Sequence, residues 1–146
     1  MSGQAMGASY VTSSDEETVE LGRTIARELP QRCCVLLIGN LGAGKTTLAK
    51  GIISGLGAAE PDEVVSPTFP LIHEYGRLYH IDLYRLDSAA QVAAIGLEDI
   101  LDRDAIVLIE WGERFPDLLP ADRIEIHLRA VSVDEREISV SDFAQK

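Results

Sequence analysis

The residues with the clearest chemical potential form a glycine-rich stretch, in which positions 39 to 46 read GNLGAGKT. A glycine, four further residues and then Gly-Lys-Ser/Thr is the pattern of a phosphate-binding loop, provided that a strand precedes it and a helix follows. Glycines let several backbone N–H groups of such a loop turn towards an anion, at the positive end of the helix dipole. We therefore predict that Lys45 reaches the outer phosphates of a nucleotide and that the Thr46 hydroxyl binds Mg²⁺. The predicted nucleotide-binding residues of this stretch are Asn40, Leu41, Gly42, Ala43, Gly44, Lys45, Thr46 and Thr47.

The alternative is a glycine-rich turn that binds no ligand. With ordinary residue usage the bare pattern arises by chance in about one chain in two hundred of this length. The context lowers that chance, because the apolar run Cys33 to Ile38 precedes the loop and a helical pattern containing Ile52 and Ile53 follows it. A buried strand running into a helix is the setting that the motif requires.

Two acidic residues are candidates for the chemistry beside the loop. Glu110 closes the apolar run that begins at Ala105, which is the position of a Walker B acid at the end of a buried strand. We predict that Glu110 holds Mg²⁺ opposite Thr46; a solvated glutamate at a strand end is the alternative. Asp82 lies between Ile81 and Leu83 and is either the group that activates the attacking water or a structural hydrogen-bonding partner. The predicted catalytic residues are Asp82, Lys45 and Glu110.

Several other residues are also candidates for a role at the site. Thr68, in the segment Ser-Pro-Thr-Phe, has a hydroxyl that could sense the γ-phosphate or its metal ion, so we count it among the nucleotide-binding residues. A turn with an idle hydroxyl is the alternative. Arg85 either neutralises developing phosphate charge or forms a surface salt bridge. Trp111 is interpreted as a packing residue. The three histidines lack the close spacing of a zinc site, so no structural metal is assigned.

The elements that must position these residues alternate between helices and strands. A helical pattern with a capping box at Ser14 and Glu17 ends before Pro30, and the strand Cys33 to Ile38 then leads into the loop and a helix from Lys45 to about Leu56. A hairpin, two short helices, the buried strand at 105–109 and two closing strands follow, with hairpin arms at 71–75 and 78–83 and closing strands at 123–128 and 137–140. This order predicts a three-layer α/β sandwich of the P-loop NTPase type with a mixed, mainly parallel central sheet.

Composition indicates a soluble, globular protein. The 146 residues fit a single domain over 1–146, with 1–12 expected to be a loose N-terminal tail. Thirteen basic residues against 24 acidic ones give a net charge of −11, so free nucleic acid would be repelled. Adjacent Cys33 and Cys34 point to opposite faces of a strand and suit a reducing compartment. With no secretion signal in the first ten residues and no bilayer-length apolar run, we expect a cytoplasmic location without membrane contact.

Four motifs in order give the chain a family resemblance. They are the loop at 39–46, Ser-Pro-Thr-Phe at 66–69, His-x-Asp-Leu-Tyr-Arg at 80–85 and Ile-Glu-Trp-Gly-Glu at 109–113. Together they resemble the bacterial TsaE family, also called YjeE-type P-loop ATPases. The resemblance extends over about residues 14 to 140 and no motif is broken. Four motifs are far more specific than the loop alone.

The resemblance implies an ATPase that assists synthesis of the threonylcarbamoyl modification at adenosine 37 of tRNA. It implies ATP/ADP and Mg²⁺ as cofactors and TsaB- and TsaD-like proteins as partners, with tRNA reached only indirectly through those partners. By the same resemblance Lys45 and Thr46 bind phosphate and Mg²⁺, Glu110 is the second Mg²⁺-associated residue, and Asp82 activates water. Turnover is expected to be slow in isolation and faster with the partners.

Two other function classes remain open. The first is a small-molecule phosphotransferase, although kinases of this size usually carry an arginine-rich lid and the segment 88–104 contains a single arginine, Arg103. The second is a GTP-dependent switch or a non-catalytic nucleotide-binding adaptor. The chain has no Asn/Thr-Lys-x-Asp segment for guanine recognition, which weakens the GTP version but leaves an adaptor possible.

Overall fold

A seven-stranded mixed sheet organises the computed structural model, which describes residues 8–64 and 71–142. The strands are β1 (Ser9–Thr12), β2 (Cys33–Ile38), β3 (Ile72–Tyr75), β4 (Leu78–Asp82), β5 (Ile106–Glu110), β6 (Ile124–Ala130) and β7 (Arg136–Asp142). The α-helices are α1 (Asp15–Glu28), α2 (Lys45–Gly55), α3 (Ala89–Ala94) and α4 (Leu97–Leu101). Within these described ranges, three short 3₁₀ helices occupy Pro61–Glu63, Gly112–Arg114 and Pro116–Leu118.

Parallel strands form the middle of the sheet and antiparallel strands its edges. The strand order is β1-β7-β6-β2-β5-β4-β3, in which β6, β2, β5 and β4 are mutually parallel. The pairs β3–β4, β6–β7 and β1–β7 are antiparallel, so both predicted hairpin-like pairs are confirmed. All five residues of β5 are buried, as expected for a strand covered on both faces. The carboxyl ends of β2, β4 and β5 therefore lie at one edge of the sheet.

Helices cover both faces of the sheet, which confirms the predicted three-layer α/β architecture. Alternate residues of β2 point to opposite faces. Val35 and Leu37 belong to the hydrophobic cluster that includes α1 and α2, whereas Leu36 belongs to the cluster that includes Val92 of α3 and Leu97 of α4. The two hydrophobic clusters are separated by the sheet, and the first of them includes Leu48, Ala49, Ile52 and Ile53 of α2. This packing places the first turn of α2 beside the carboxyl ends of the strands.

The helices α1 and α2 cross at close range because glycines meet at the contact. A Cβ added to Gly22 would lie 2.6 Å from the carbonyl oxygen of Leu48, and one added to Gly51 would overlap the carbonyl of Val19. The first helix begins as predicted at Ser14, whose hydroxyl accepts from the N–H of Glu17 at 3.1 Å. The Glu17 carboxylate accepts from the N–H of Ser13, one residue before the position that a standard capping box uses.

The predicted loose tail at 1–12 is wrong for its last four residues. Ser9–Thr12 form β1, which pairs with β7 and covers the edge that β7 would otherwise expose. Thr12 is buried, and its hydroxyl lies 2.6 Å from that of Thr18. A four-residue strand is too short for alternation to reveal it in the sequence. Residues 1–7 lie outside the described part of the chain.

Cys33 and Cys34 are both in the thiol form, and burial raises the pKa of the Cys34 thiol to about 12, which keeps it protonated and unreactive. Within the described residues, no helix combines the length and apolar character needed to cross a bilayer.

Candidate functional site

The glycine-rich loop, residues 39–44, connects the carboxyl end of β2 to the first turn of α2. Gly42 and Gly44 have φ angles of 80° and 100°, a region that side chains other than glycine rarely enter. A Cβ at Gly39 would lie 2.6 Å from the carbonyl oxygen of Leu128, so the loop is also packed tightly against β6. These glycines are required by backbone conformation and by close approach.

The first turn of α2 is suited to an anion. Its N-cap, Gly44, supplies no side-chain hydrogen bond and the turn contains no acidic residue, whereas α1 begins with three acids. The first N–H groups of a helix have no partner within the helix and carry the positive end of its dipole. An anion from outside the chain would therefore be stabilised at this point.

Lys45 is buried at the start of α2 and its ammonium is held inside the site. Its Nζ donates to the carbonyl oxygen of Gly39 at 2.7 Å and lies 3.4 Å from the centroid of the Trp111 ring. Desolvation lowers the pKa of Lys45, while the carboxylates of Glu110, Glu113 and Asp82 act in the opposite direction. The ammonium is thus available next to the loop without a direct carboxylate partner among the described residues.

Trp111 stands beside Glu110 in an unusual backbone conformation. Its φ of 67° is the only positive value for a residue other than glycine within 8–64 and 71–142. Such a conformation is strained for a bulky side chain and is found at functional sites more often than elsewhere. The indole also packs against the ring of Tyr84, with centroids 5.0 Å apart. The interpretation of Trp111 as a packing residue therefore omitted its contact with the lysine of the loop.

Glu110 occupies the end of β5 with one of its carboxylate oxygens held by two donors. The Thr46 hydroxyl donates to Oε2 at 3.2 Å, and His80 Nε2 lies 2.7 Å from the same oxygen. His80 is fully buried and Glu110 is 3% exposed, so this carboxylate is shielded from water. The predicted pair Thr46 and Glu110 is thus brought together, and His80, which the sequence left without a role, fixes it.

Asp82 lies at the end of β4, directly beside Glu110 in the parallel register. Its Oδ1 accepts from the N–H of Tyr84 at 2.8 Å. Desolvation raises the pKa of Asp82 and the charge of Glu110 adds to that rise, whereas the hydrogen bond from Tyr84 and the charge of Lys45 oppose it. A carboxylate with a raised pKa is a better proton acceptor than an ordinary aspartate.

These residues line one cavity of about 490 Å³. From the predicted set the cavity collects Leu41, Gly42, Ala43, Gly44, Lys45, Thr46, Thr47, Asp82 and Glu110, and it also includes Asp15, Tyr84, Arg85, Trp111 and Arg136. Asn40 does not line it; the Asn40 carbonyl oxygen instead accepts from the N–H of Ala43 at 3.0 Å. Thr68 lies outside the described residues, as does the whole segment 65–70.

Sequence reasoning did not select four residues of this region, which are Asp15, His80, Tyr84 and Arg136. His80 could have been found from its place in the same arm as Asp82, two residues earlier on a strand that points alternate side chains to one face. No comparable signal existed for Arg136 or Asp15, because their proximity to the loop depends on the sheet order.

The donor set fits a magnesium–nucleotide complex. Mg²⁺ prefers oxygen ligands and commonly takes one or two from the protein, with phosphates and waters completing its shell. Thr46 and Glu110 offer a hydroxyl and a carboxylate at adjacent positions. Within 8–64 and 71–142 no group of three or more His, Cys, Asp or Glu side chains is arranged to hold a metal ion.

Comparisons with known proteins agree on one family. The sequence model of the family described as "Threonylcarbamoyl adenosine biosynthesis protein TsaE" matches residues 12–138. The chain is 40% identical to the tRNA threonylcarbamoyladenosine biosynthesis protein TsaE of Treponema pallidum over 134 residues, which cover 90% of this chain and 98% of that protein. It is 36% identical to the TsaE protein of Bacillus subtilis over 132 residues, covering 88% and 81% of the two chains.

A solved structure shares the architecture. The crystal structure of YdiB from Bacillus subtilis superposes with a TM-score of 0.75 at 31% sequence identity, covering 93% of this chain and 85% of the other. The family resemblance and the fold class predicted from the sequence are both confirmed by these matches.

Proposed function

The chain belongs to the TsaE family of threonylcarbamoyl adenosine biosynthesis proteins, and from that premise we propose that it is a Mg²⁺-dependent ATPase in the synthesis of threonylcarbamoyladenosine at position 37 of tRNA. The observation that carries the proposal is the convergence of Lys45, Thr46, Asp82 and Glu110 on one cavity at the amino end of α2. A lysine, a hydroxyl and two carboxylates around an anion-binding helix terminus are the parts that phosphoryl transfer requires.

In this proposal the loop and the first turn of α2 hold the phosphates through backbone N–H groups. Lys45 leaves the carbonyl of Gly39 and turns its ammonium to the outer phosphates. Thr46 and Glu110 hold Mg²⁺, which when bound neutralises the charge on the phosphate oxygens. His80 keeps one Glu110 oxygen in place, so that the other remains free to face the site.

Asp82 is the proposed acceptor of the proton from the attacking water. One of its oxygens is occupied by the Tyr84 N–H, which orients the carboxylate, and burial makes it more basic than an exposed aspartate. The second oxygen is left to position the water.

We propose that the energy of hydrolysis acts on partner proteins of the TsaB and TsaD types. The net charge of −11 supports an arrangement in which tRNA is held by those partners and reached only indirectly. A cytoplasmic location follows from the same proposal, since tRNA modification takes place there. Arg85 lines the cavity and is the proposed group that neutralises developing phosphate charge, and turnover without the partners is proposed to be slow.

The test combines the purified chain with TsaB- and TsaD-type proteins, ATP and Mg²⁺, and measures complex formation and phosphate release. We expect free phosphate and ADP at a rate that rises when both partners are present, and no increase with the Lys45→Ala variant. A phosphorylated metabolite in place of free phosphate would instead identify a kinase. Tight ATP binding without any hydrolysis, with or without partners, would identify an adaptor.

A further inference from the structure

Arg114 lies in the 3₁₀ helix that follows β5, and its side chain reaches the backbone of the segment that leaves β4. Its Nη1 donates to the carbonyl oxygen of Tyr84 at 2.7 Å and, more weakly, to that of Leu83 at 3.4 Å. The side chain is exposed, and Arg114 is not among the described residues that line the cavity of about 490 Å³. Arg114 is therefore connected to the site through the backbone at the end of a neighbouring strand.

The backbone of Tyr84 is bound at both of its polar groups. Its N–H donates to Oδ1 of Asp82 at 2.8 Å, and its carbonyl oxygen accepts from Arg114. The carbonyl of Leu83 belongs to the same planar peptide unit as this N–H, and it accepts from the N–H of Leu86 at 3.1 Å as well as from Arg114. The guanidinium thus restrains the peptide unit whose N–H orients the Asp82 carboxylate.

Burial restrains this segment only up to Leu83. The Leu83 side chain is fully buried, and its N–H donates to the carbonyl oxygen of Glu110 at 3.0 Å. The next two residues, Tyr84 and Arg85, are exposed, although the Tyr84 ring packs on that of Trp111. The hydrogen bonds from Arg114 therefore supply a restraint that burial does not supply at the point where the chain turns away from the sheet.

We propose that Arg114 is a positioning residue of the hydrolytic reaction, which holds the Tyr84 backbone so that Asp82 stays aligned with the attacking water. This inference rests on the proposed ATPase function and adds to it a residue that touches neither nucleotide nor metal. Misplacement of a reacting group by about 1 Å can cost about 100-fold in rate. Because alignment of a proton acceptor acts in the chemical step, Arg114 contributes to kcat and not to the affinity for Mg²⁺–ATP.

The experiment compares the wild type with Arg114→Met and with a matched control, Arg103→Met. Methionine keeps an unbranched apolar stem for the Phe115 ring, whose centroid lies 5.3 Å from the guanidinium carbon of Arg114, but it has no donor. Arg103 is also exposed and also binds β4, since its Nη1 donates to the hydroxyl of Tyr79 at 2.8 Å. Tyr79 lies near the amino end of β4, whereas Asp82 ends the strand.

Three quantities are measured for each protein. They are the dissociation constant of ATP, the Mg²⁺ concentration for half-maximal nucleotide binding, and kcat for phosphate release without partners and with saturating TsaB- and TsaD-type proteins. We expect Arg114→Met to lower kcat by about 10- to 100-fold, by the same factor with and without partners. Both binding quantities should stay at the wild-type values, which also shows that the loop and the Glu110 position are intact. Arg103→Met should match the wild type throughout.

Four results would overturn the positioning role. An unchanged kcat would show that Arg114 does not act on the reaction, and a weakened ATP affinity would make it a phosphate contact. A raised Mg²⁺ requirement would indicate a general disturbance at the ends of β4 and β5. A loss confined to the partner-stimulated rate would make Arg114 a contact of the partners. If the wild type itself hydrolysed no ATP, the proposed function would fail, and the role of Arg114 would fail with it.

Discussion

His80 Nε2 lies 2.7 Å from Oε2 of Glu110, and the two side chains are almost completely removed from solvent. The same oxygen accepts a hydrogen bond from the hydroxyl of Thr46, so a single carboxylate oxygen connects β4, β5 and α2. The second ring nitrogen, Nδ1, has no hydrogen-bonding partner among the described residues. His80 is therefore engaged through Nε2, and its role is to orient the carboxylate that faces the proposed metal site.

We expect His80→Leu to destabilise the protein by about 2–4 kcal/mol, because it leaves a buried carboxylate without its nearest donor. Since Glu110 would also lose its fixed orientation, the Mg²⁺ concentration needed for half-maximal nucleotide binding should rise. His80→Gln supplies an amide donor and should recover part of both losses. Urea unfolding and nucleotide titration over a Mg²⁺ series measure the two effects.

A double-mutant cycle separates the contribution of the His80–Glu110 hydrogen bond to stability from that of general packing at the site. Combined with Glu110→Gln, the His80→Leu change should lose less stability than it does alone, because the unpaired charge is already gone. Strict additivity of the two changes would show that the hydrogen bond contributes nothing to folding. A Mg²⁺ dependence identical to that of the wild type would limit His80 to a structural role.

Replacing Lys45 tests the loop itself. Lys45→Ala removes the ammonium that faces the cavity, so ATP affinity should fall by roughly 10- to 100-fold. Lys50→Ala is the control, since Lys50 lies on the same helix but lines a different groove. Its ATP affinity should match that of the wild type. If the dissociation constant for ATP were unchanged in Lys45→Ala, the loop would not be part of the nucleotide site.

The fluorescence of Trp111 should report the movement of the Lys45 ammonium towards the phosphates. Trp111 is the only tryptophan of the 146 residues, and its ring lies 3.4 Å from the ammonium of Lys45. When nucleotide draws the ammonium to the phosphates, the charge leaves the ring face and the indole emission should change in a saturable way. Lys45→Met should abolish this change. Nucleotide binding detected by calorimetry without any emission change would show that Lys45 stays on the ring.

The fold was largely predictable because its main signals are local. The apolar runs of β2 and β5 and the alternation in β6 and β7 are visible in the sequence, and the cap at Ser14 marks the start of α1. β1 was missed because four residues carry no reliable periodicity and its existence depends on β7 as a partner. β1 and β7 lie at opposite ends of the sequence, so the residues around β1 do not indicate that the two strands pair.

The candidate site was predictable where a motif or the end of a strand indicated a residue, as for Lys45, Thr46, Glu110 and Asp82. The contacts that fix those residues were not predictable. The pairing of His80 with Glu110 depends on the parallel register of β4 and β5, and the approach of Arg136 to Gly44 depends on β7 lying beside β6. Both contacts arise from the tertiary arrangement, and the alternation of β4 places His80 on the same face as Asp82 without indicating its contact with Glu110.

Asp82→Asn tests the proposed proton acceptor. The amide keeps an oxygen that can accept from the Tyr84 N–H but cannot take a proton from water, so partner-stimulated hydrolysis should fall by about 10²- to 10⁴-fold while ATP affinity changes little. Phosphate release and equilibrium binding measure the two quantities. Hydrolysis that stays at the wild-type rate would assign Asp82 a structural role.

The same variant should be more stable than the wild type at neutral pH. Burial and the charge of Glu110 raise the pKa of Asp82 in the folded protein, so the folded state binds this proton more tightly than the unfolded state does. The contribution of Asp82 to stability therefore decreases as the pH rises from the ordinary aspartate pKa through the raised one. Below that window the carboxyl is protonated in both states, and the substitution gives no advantage. Urea unfolding from about pH 4 to about pH 8 should show the stability gain of Asp82→Asn growing with pH and then levelling; a gain that is constant or shrinks with pH would mean that the pKa is not raised.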